Sequence, residues 1–72
     1  MTMTTSTIAI FLNGEAQLTT CSTLSQLIEQ LALEGKRFAV EVNENIIPKS
    51  RLAQTPIKPD DHIEIIQAVG GG

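Results

Sequence analysis

The end of the chain carries the group with the clearest capacity for chemistry. The sequence finishes with Gly70, Gly71 and Gly72, directly after Val69. Because glycine lacks a Cβ atom, its backbone can pass through a narrow channel and can adopt any φ. The six residues from Gln67 onward can extend about 20 Å. This length is enough for the Gly72 carboxylate to reach into the active site of a partner enzyme while the folded body docks outside.

A chain-end carboxylate becomes reactive when an enzyme admits it to an ATP site. There it attacks the α-phosphate of ATP and forms an acyl-adenylate. A nucleophile, such as a persulfide sulfur, then displaces the nucleotide. The alternative interpretation is an inert terminus, because chain ends are commonly poorly ordered. The residues of the tail leave both interpretations open.

For the reactive side chains within the chain, a structural role is a better interpretation than a catalytic one. His62 stands alone at the start of a predicted strand. Cys21 precedes a predicted helix, where a thiol pKa can be lowered, but no His or metal partner accompanies it. Asp60 and Asp61 offer too few ligands for a metal ion. We therefore predict no metal site and no cofactor bound by this chain, and the role of Cys21 stays open.

Composition restricts the class of protein. The 72 residues form one small domain, carry a net charge of −3, and contain only two aromatic residues. The few basic residues are scattered, which argues against a nucleic-acid partner. No apolar run approaches the ~20 residues that span a bilayer. One cysteine fits a reducing compartment, so we expect a cytoplasmic protein. We also expect the protein to be monomeric when free.

A single amphipathic helix is predicted in the first half of the chain. Apolar residues recur at positions 24, 27, 28, 31 and 32, the spacing of one helix face. Thr23 is the predicted N-cap, with Gln26 three residues later as a capping box requires. Gly35 is the predicted C-terminal stop.

Strands are predicted on both sides of this helix. Asn13-Gly14 indicates a hairpin turn between a strand at 8–12 and a return strand at 16–20, with Leu18 directed inward. Later strands are expected at 38–42, 46–47 and 62–66. Residues 49–55 suggest one helical turn. Residues 1–7 are expected to be a frayed N-terminus, and residues 67–72 a flexible tail.

These elements predict an α+β architecture. One apolar helix stripe must cover one face of one mixed sheet of four to five strands. The first and last strands would then lie side by side and parallel in the middle of the sheet. This topology is the β-grasp, or ubiquitin-like, fold.

Four segments of the chain resemble the bacterial sulfur carrier proteins of thiazole (thiamin) biosynthesis. They are FLNGE at 11–15, LALEGKRFAVEVN at 31–43, IPK at 47–49 and IEIIQAVGGG at 63–72. The resemblance extends over nearly the whole chain from Ile8 onward. The glycine tail alone is weakly specific, whereas its combination with the VEVN and IPK segments is much more specific.

The resemblance implies a carrier that is not itself an enzyme. An E1-like adenylyltransferase would adenylate Gly72 with ATP and magnesium, and a persulfide donor would convert it to a thiocarboxylate. Thiazole synthase would then take the sulfur. Gly71 is the other glycine of the required pair, and Val69 and Gly70 are expected to contact the partners. Members of the family often have glycine where this chain has Asp60, so we expect a left-handed backbone there.

Alternatives remain within and beyond this fold. A small subunit of molybdopterin synthase would share the tail and the thiocarboxylate but serve a different acceptor. A protein modifier would be joined through Gly72 to target lysines. An interaction module with an inert tail belongs to another class.

One face of the predicted sheet is a candidate docking surface. Phe11, Ala39 and Ile66 are expected to point away from the helix, flanked by Glu41 and Glu64. An exposed apolar patch of this kind would dock the activating enzyme. The alternative is that Phe11 only shields the edge of the sheet.

Overall fold

The computed structural model describes residues 7–67, and its architecture confirms the predicted fold. The elements are β1 (Ile8–Leu12), β2 (Glu15–Thr19), α1 (Leu24–Gln30), β3 (Phe38–Val42), β4 (Asn45–Ile47), a 3₁₀ helix (Lys49–Gln54) and β5 (His62–Gln67). The five strands form one sheet in the order β2-β1-β5-β3-β4. β1 and β5 are parallel, and the other neighbours are antiparallel.

The first hairpin forms at the predicted turn. Asn13 and Gly14 adopt φ values of 51° and 84°, as a two-residue type I′ turn requires. The resulting register pairs Ala9 with Leu18. Directly paired residues project from the same face of a sheet. The expectation that Leu18 points inward is therefore wrong: its side chain is 73% exposed, on the face away from the helix.

Helix α1 begins where the sequence indicates. The Thr23 side chain accepts a hydrogen bond from the backbone N–H of Gln26 at 3.3 Å. The Gln26 side chain reaches back one residue further than a capping box would require, and its Oε1 accepts from the backbone N–H of Ser22 at 2.7 Å. The first bond satisfies a backbone donor that a helix start leaves unpaired, and the second ties the residue before the N-cap to the first turn.

The helix ends earlier than predicted. Ala32 adopts a left-handed φ of 58°, and the Leu33 N–H donates to the carbonyl of Ile28 at 3.1 Å. Together with the bond from the Ala32 N–H to the Glu29 carbonyl, this forms a Schellman motif. The expectation that Gly35 stops the helix is wrong, because Gly35 lies in the turn that follows.

The core lies between the helix and one face of the sheet. Its largest fully buried side chains come from β1, α1, β3 and β5: Ile10, Leu24, Val40 and Ile63. Leu52 of the 3₁₀ helix and Ile57 close one side of it. The opposite face of the sheet, which we call the open face, carries no covering element among residues 7–67.

Two further turns have left-handed residues. Asn43 and Glu44 connect β3 to β4 with φ values of 51° and 72°. Asp60 has a φ of 68°, as expected from the sequence. Its backbone N–H donates to the carbonyl of Ala9 at 2.7 Å, which ties the turn before β5 to β1.

Candidate functional site

The predicted reactive group lies outside the described residues, as do Val69, Gly70 and Gly71. The structure instead defines the element from which the tail departs. Strand β5 occupies the middle of the sheet and ends at Gln67, one residue beyond the predicted boundary. The strand that leads into the tail is therefore a central strand of the fold.

The two neighbours of β5 hold it to different extents. β3 pairs with it over five residue pairs, from Val42 opposite Ile63 to Phe38 opposite Gln67. β1 pairs with it only at its start, through Phe11 with His62 and Leu12 with Ile63. Ile63 is completely buried. The core and β3 thus fix β5 up to its last residue, whereas β1 leaves most of its length unpaired.

The predicted docking residues lie on the open face but are not contiguous. Phe11 is half-buried, and its ring stacks on His62 with a centroid separation of 4.5 Å and an angle of 15°. Ile66 is 54% exposed and pairs with the exposed Ala39. It lies four residues beyond His62, which is ~13 Å along the strand. The side chain of Glu64 projects from the open face between them.

Acidic side chains converge on this face. Glu41 and Glu64 are directly opposite each other on adjacent strands. Like charges in such a pair repel. Together with Glu44, they line an open cleft of about 360 Å³ whose other walls are Asn43 and His62. The two paired glutamates were expected beside the patch from the sequence, whereas Glu44 and His62 were not. Their convergence depends on the β3–β4 turn and on the register between β3 and β5.

The remaining candidate residues have structural contacts. Asp61 is buried, and its carboxylate accepts from the Asn43 Nδ2 at 3.0 Å and from the Lys58 backbone N–H at 2.9 Å. The Cys21 thiol is half-buried and donates to the Gln30 Oε1 at 3.4 Å. Within residues 7–67, no three His, Cys, Asp or Glu side chains are grouped so as to hold a metal ion.

The described part of the chain also contains no helix that is both long and apolar enough to cross a membrane. Within residues 7–67, the helices are α1, of seven residues, and the 3₁₀ helix, of six.

Comparison with known proteins relates the chain to one family. The model of the ThiS family matches residues 5–72. A thiazole synthase from Paramagnetospirillum magneticum is 36% identical over 64 residues, which cover 88% of this chain and 20% of that protein. The chain thus spans only a fifth of the length of that relative. The sulfur carrier protein ThiS from Thermus thermophilus is 29% identical over 63 residues, covering 88% of this chain and 98% of that one.

A solved structure supports the fold independently. The thiamine biosynthesis protein (ThiS) from Geobacter metallireducens superposes with a TM-score of 0.76 at 20% identity. The alignment covers 90% of this chain and all of that one.

Proposed function

This chain belongs to the ThiS family of sulfur carriers in thiamine biosynthesis, and we propose that Gly72 is the residue that carries the sulfur. The observation that carries the proposal is that the family match continues without interruption through the three terminal glycines. The sequence offers no comparable reactive group among residues 7–67, where Asp61 and Cys21 have structural contacts.

The position of β5 supports this role. The tail begins directly after Gln67, at the end of a strand held by β3 to its last residue. The five residues that follow can span at most ~18 Å. Because three of them lack a Cβ atom, they can enter a channel too narrow for other residues. A partner could therefore dock the body and receive Gly72 without unfolding any strand.

The proposed reaction begins with attack of the Gly72 carboxylate on the α-phosphate of ATP. Pyrophosphate leaves, and the product is the glycyl-adenylate, a mixed anhydride. A persulfide sulfur then attacks the carbonyl carbon, and AMP leaves. Reductive cleavage of the S–S bond by a thiol gives the thiocarboxylate. An E1-like adenylyltransferase supplies the site for ATP and magnesium, so the chain is a substrate and catalyses no step itself.

The acceptor in this proposal is thiazole synthase. A protein of that name is a relative of this chain, and the similar segment is only a fifth of its length. The thiocarboxylate sulfur would attack an electrophilic carbon of the thiazole precursor and form a thioester. Attack of water on the Gly72 carbonyl carbon would then break the acyl C–S bond, which leaves the sulfur on the precursor as a thiol and regenerates the Gly72 carboxylate. We place this cycle in the cytoplasm, as expected from the single cysteine.

Docking of the activating enzyme is assigned to the open face. Ile66 and Phe11 offer apolar contacts there, although Glu64 separates them. Substitution of Ile66 by Ser should weaken binding of the activating enzyme, because it removes an apolar contact. The fold should stay intact, since a side chain that is 54% exposed contributes little to folding. Leu18→Ser is the matched control, because Leu18 is 73% exposed on the same face but near the β2 edge. Equal binding by both variants and the unaltered protein would refute this docking surface.

The function itself is tested by ATP–pyrophosphate exchange with an E1-like enzyme from the same source. The protein with Gly72 as its last residue should support exchange, and deletion of Gly72 should abolish it. The deletion should leave the melting temperature unchanged, because the core ends at β5. Exchange that persists without Gly72 would show that another group is adenylated.

A further inference from the structure

The turn residue Asn13 contacts β5 through its side chain, on the edge of β5 that faces β1. Parallel pairing between β1 and β5 ends at Leu12 and Ile63. It ends there because Asn13 turns away from the sheet with a φ of 51°. β5 continues for four more residues to Gln67. Along this stretch, the edge of β5 that faces β1 lacks a neighbouring strand among residues 7–67.

Asn13 fills part of that gap with two hydrogen bonds. Its backbone N–H donates to the carbonyl of Ile63 at 2.8 Å. Its side-chain Oδ1 accepts from the backbone N–H of Ile65, also at 2.8 Å. In a parallel ladder, a backbone carbonyl of β1 would accept that N–H. The side-chain amide oxygen therefore replaces the backbone carbonyl that the turn has diverted.

We propose that Asn13 is a positioning residue for the tail: its side chain holds β5 at Ile65, two residues before the strand ends and the reactive C-terminal segment begins. This inference rests on the function proposed above. Asn13 and Ile65 are 52 positions apart in the chain, so their contact joins the first turn to the last strand. With it, Ile65 is hydrogen-bonded on the edge facing Asn13 and paired with Val40 on the other.

Few residue types can meet both demands at this position. The backbone needs a left-handed φ, which asparagine, aspartate and glycine tolerate best. The contact also needs an oxygen acceptor on a short side chain. An aspartate in place of Asn13 would keep both properties, whereas a glycine would keep only the turn. Asn13→Gly and Asn13→Asp therefore form a matched pair that separates the contact from the turn.

The kinetic consequence concerns where the Gly72 carboxylate lies in the docked complex. If the end of β5 loses one anchor, the carboxylate samples more positions, and fewer of them are in line with the α-phosphate. Contacts of the open face with the enzyme are unchanged. The loss should therefore reduce kcat for adenylation while KM for the carrier stays within about twofold. Loss of one net hydrogen bond corresponds to about fivefold in kcat.

A merely structural role predicts another pattern. If Asn13→Gly only lowered the stability of the domain, the folded fraction would fall, the apparent KM would rise, and kcat at saturation would be unchanged. The test therefore measures kcat and KM separately for the full-length carrier, using the E1-like enzyme, ATP and magnesium. These constants, and amide hydrogen exchange by NMR, are measured on three proteins: the unaltered carrier, Asn13→Gly and Asn13→Asp.

The expected result is a kcat that falls about fivefold in Asn13→Gly and is restored in Asn13→Asp. The Ile65 amide should lose protection selectively in the glycine variant, whereas the Ile63 amide keeps it. An unchanged kcat in Asn13→Gly, or no rescue by aspartate, would overturn the inference. If the unaltered carrier is not adenylated, the proposed function fails and the kinetic role falls with it. Unchanged Ile65 exchange would refute the contact itself.

Discussion

At the end of helix α1, a single substitution is expected to raise the stability of the fold. Ala32 is the left-handed residue of the Schellman motif, with a φ of 58°. Its side chain is exposed and so contributes little to the core. The motif keeps its hydrogen bonds and the buried pair Ile28 and Leu33 whatever residue stands between them. We therefore predict that Ala32→Gly increases the free energy of unfolding.

The magnitude follows from two opposing terms. A left-handed backbone costs an L-residue about 1–2 kcal/mol, which glycine does not incur. Glycine loses more conformational freedom on folding, a penalty of about 0.5–1 kcal/mol. The net gain is about 0.5–1 kcal/mol. For a domain of this size, that corresponds to a rise of about 2–8 °C in the melting temperature.

Gly35→Ala is the matched control. Gly35 has a φ of 77°, and a Cβ atom added there would meet no atom within 4 Å. The substitution is therefore sterically free but strained in its backbone, and the same two terms with opposite sign should lower the free energy of unfolding by about 0.5–1 kcal/mol. The two variants exchange the same pair of residue types in opposite directions.

Both variants are measured by thermal unfolding followed by circular dichroism, with urea unfolding to check that the slope with denaturant is unchanged. A lower melting temperature in Ala32→Gly would contradict the left-handed assignment and return the helix end to the position that the sequence suggested. A higher melting temperature in Gly35→Ala would contradict the left-handed conformation of Gly35 in the following turn.

Three further substitutions test the core, the turn network and the open face. Leu27→Ala should lower the free energy of unfolding by about 2–5 kcal/mol, because its side chain is only 2% exposed; a loss below about 1 kcal/mol would contradict its place in the core. Asn43→Ala should cost about 2 kcal/mol in urea unfolding, since it leaves the buried Asp61 carboxylate without its Asn43 donor; wild-type stability would refute that contact. Glu64→Gln should add about 0.2–1 kcal/mol at low salt by removing the repulsion from Glu41; the gain should fade at high salt, and no gain at low salt would contradict the cross-strand pair.

Local signals were sufficient for much of the fold. The Asn13-Gly14 turn and the cap at Thr23 each depend on neighbouring residues, and the structure confirms both. The left-handed Asp60 was expected from the family resemblance instead, and its φ of 68° confirms it. The direction of Leu18 was wrong although the sequence contained the information. A two-residue turn pairs Leu18 with Ala9, two residues before Phe11, and so places it on the open face.

Other features could not be read from local sequence. Glycine ends helices more often than alanine does, so the sequence favoured Gly35 as the end of the helix over Ala32. The acidic cleft requires the register between β3 and β5, which brings Glu41 opposite Glu64. The hydrogen bond from the Ile65 N–H to the Asn13 side chain joins residues near opposite ends of the chain. Such contacts follow from the tertiary arrangement, for which a single sequence carries no direct pattern.

Mass spectrometry of the C-terminal peptide shows directly whether Gly72 carries sulfur as a thiocarboxylate. The protein is incubated with its E1-like enzyme, ATP, magnesium and a persulfide donor, and it is then digested and analysed. We expect that one oxygen is replaced by one sulfur, localised to Gly72. Lysine-linked conjugates through Gly72, or an unmodified peptide after adenylation has been demonstrated in the same mixture, would contradict it.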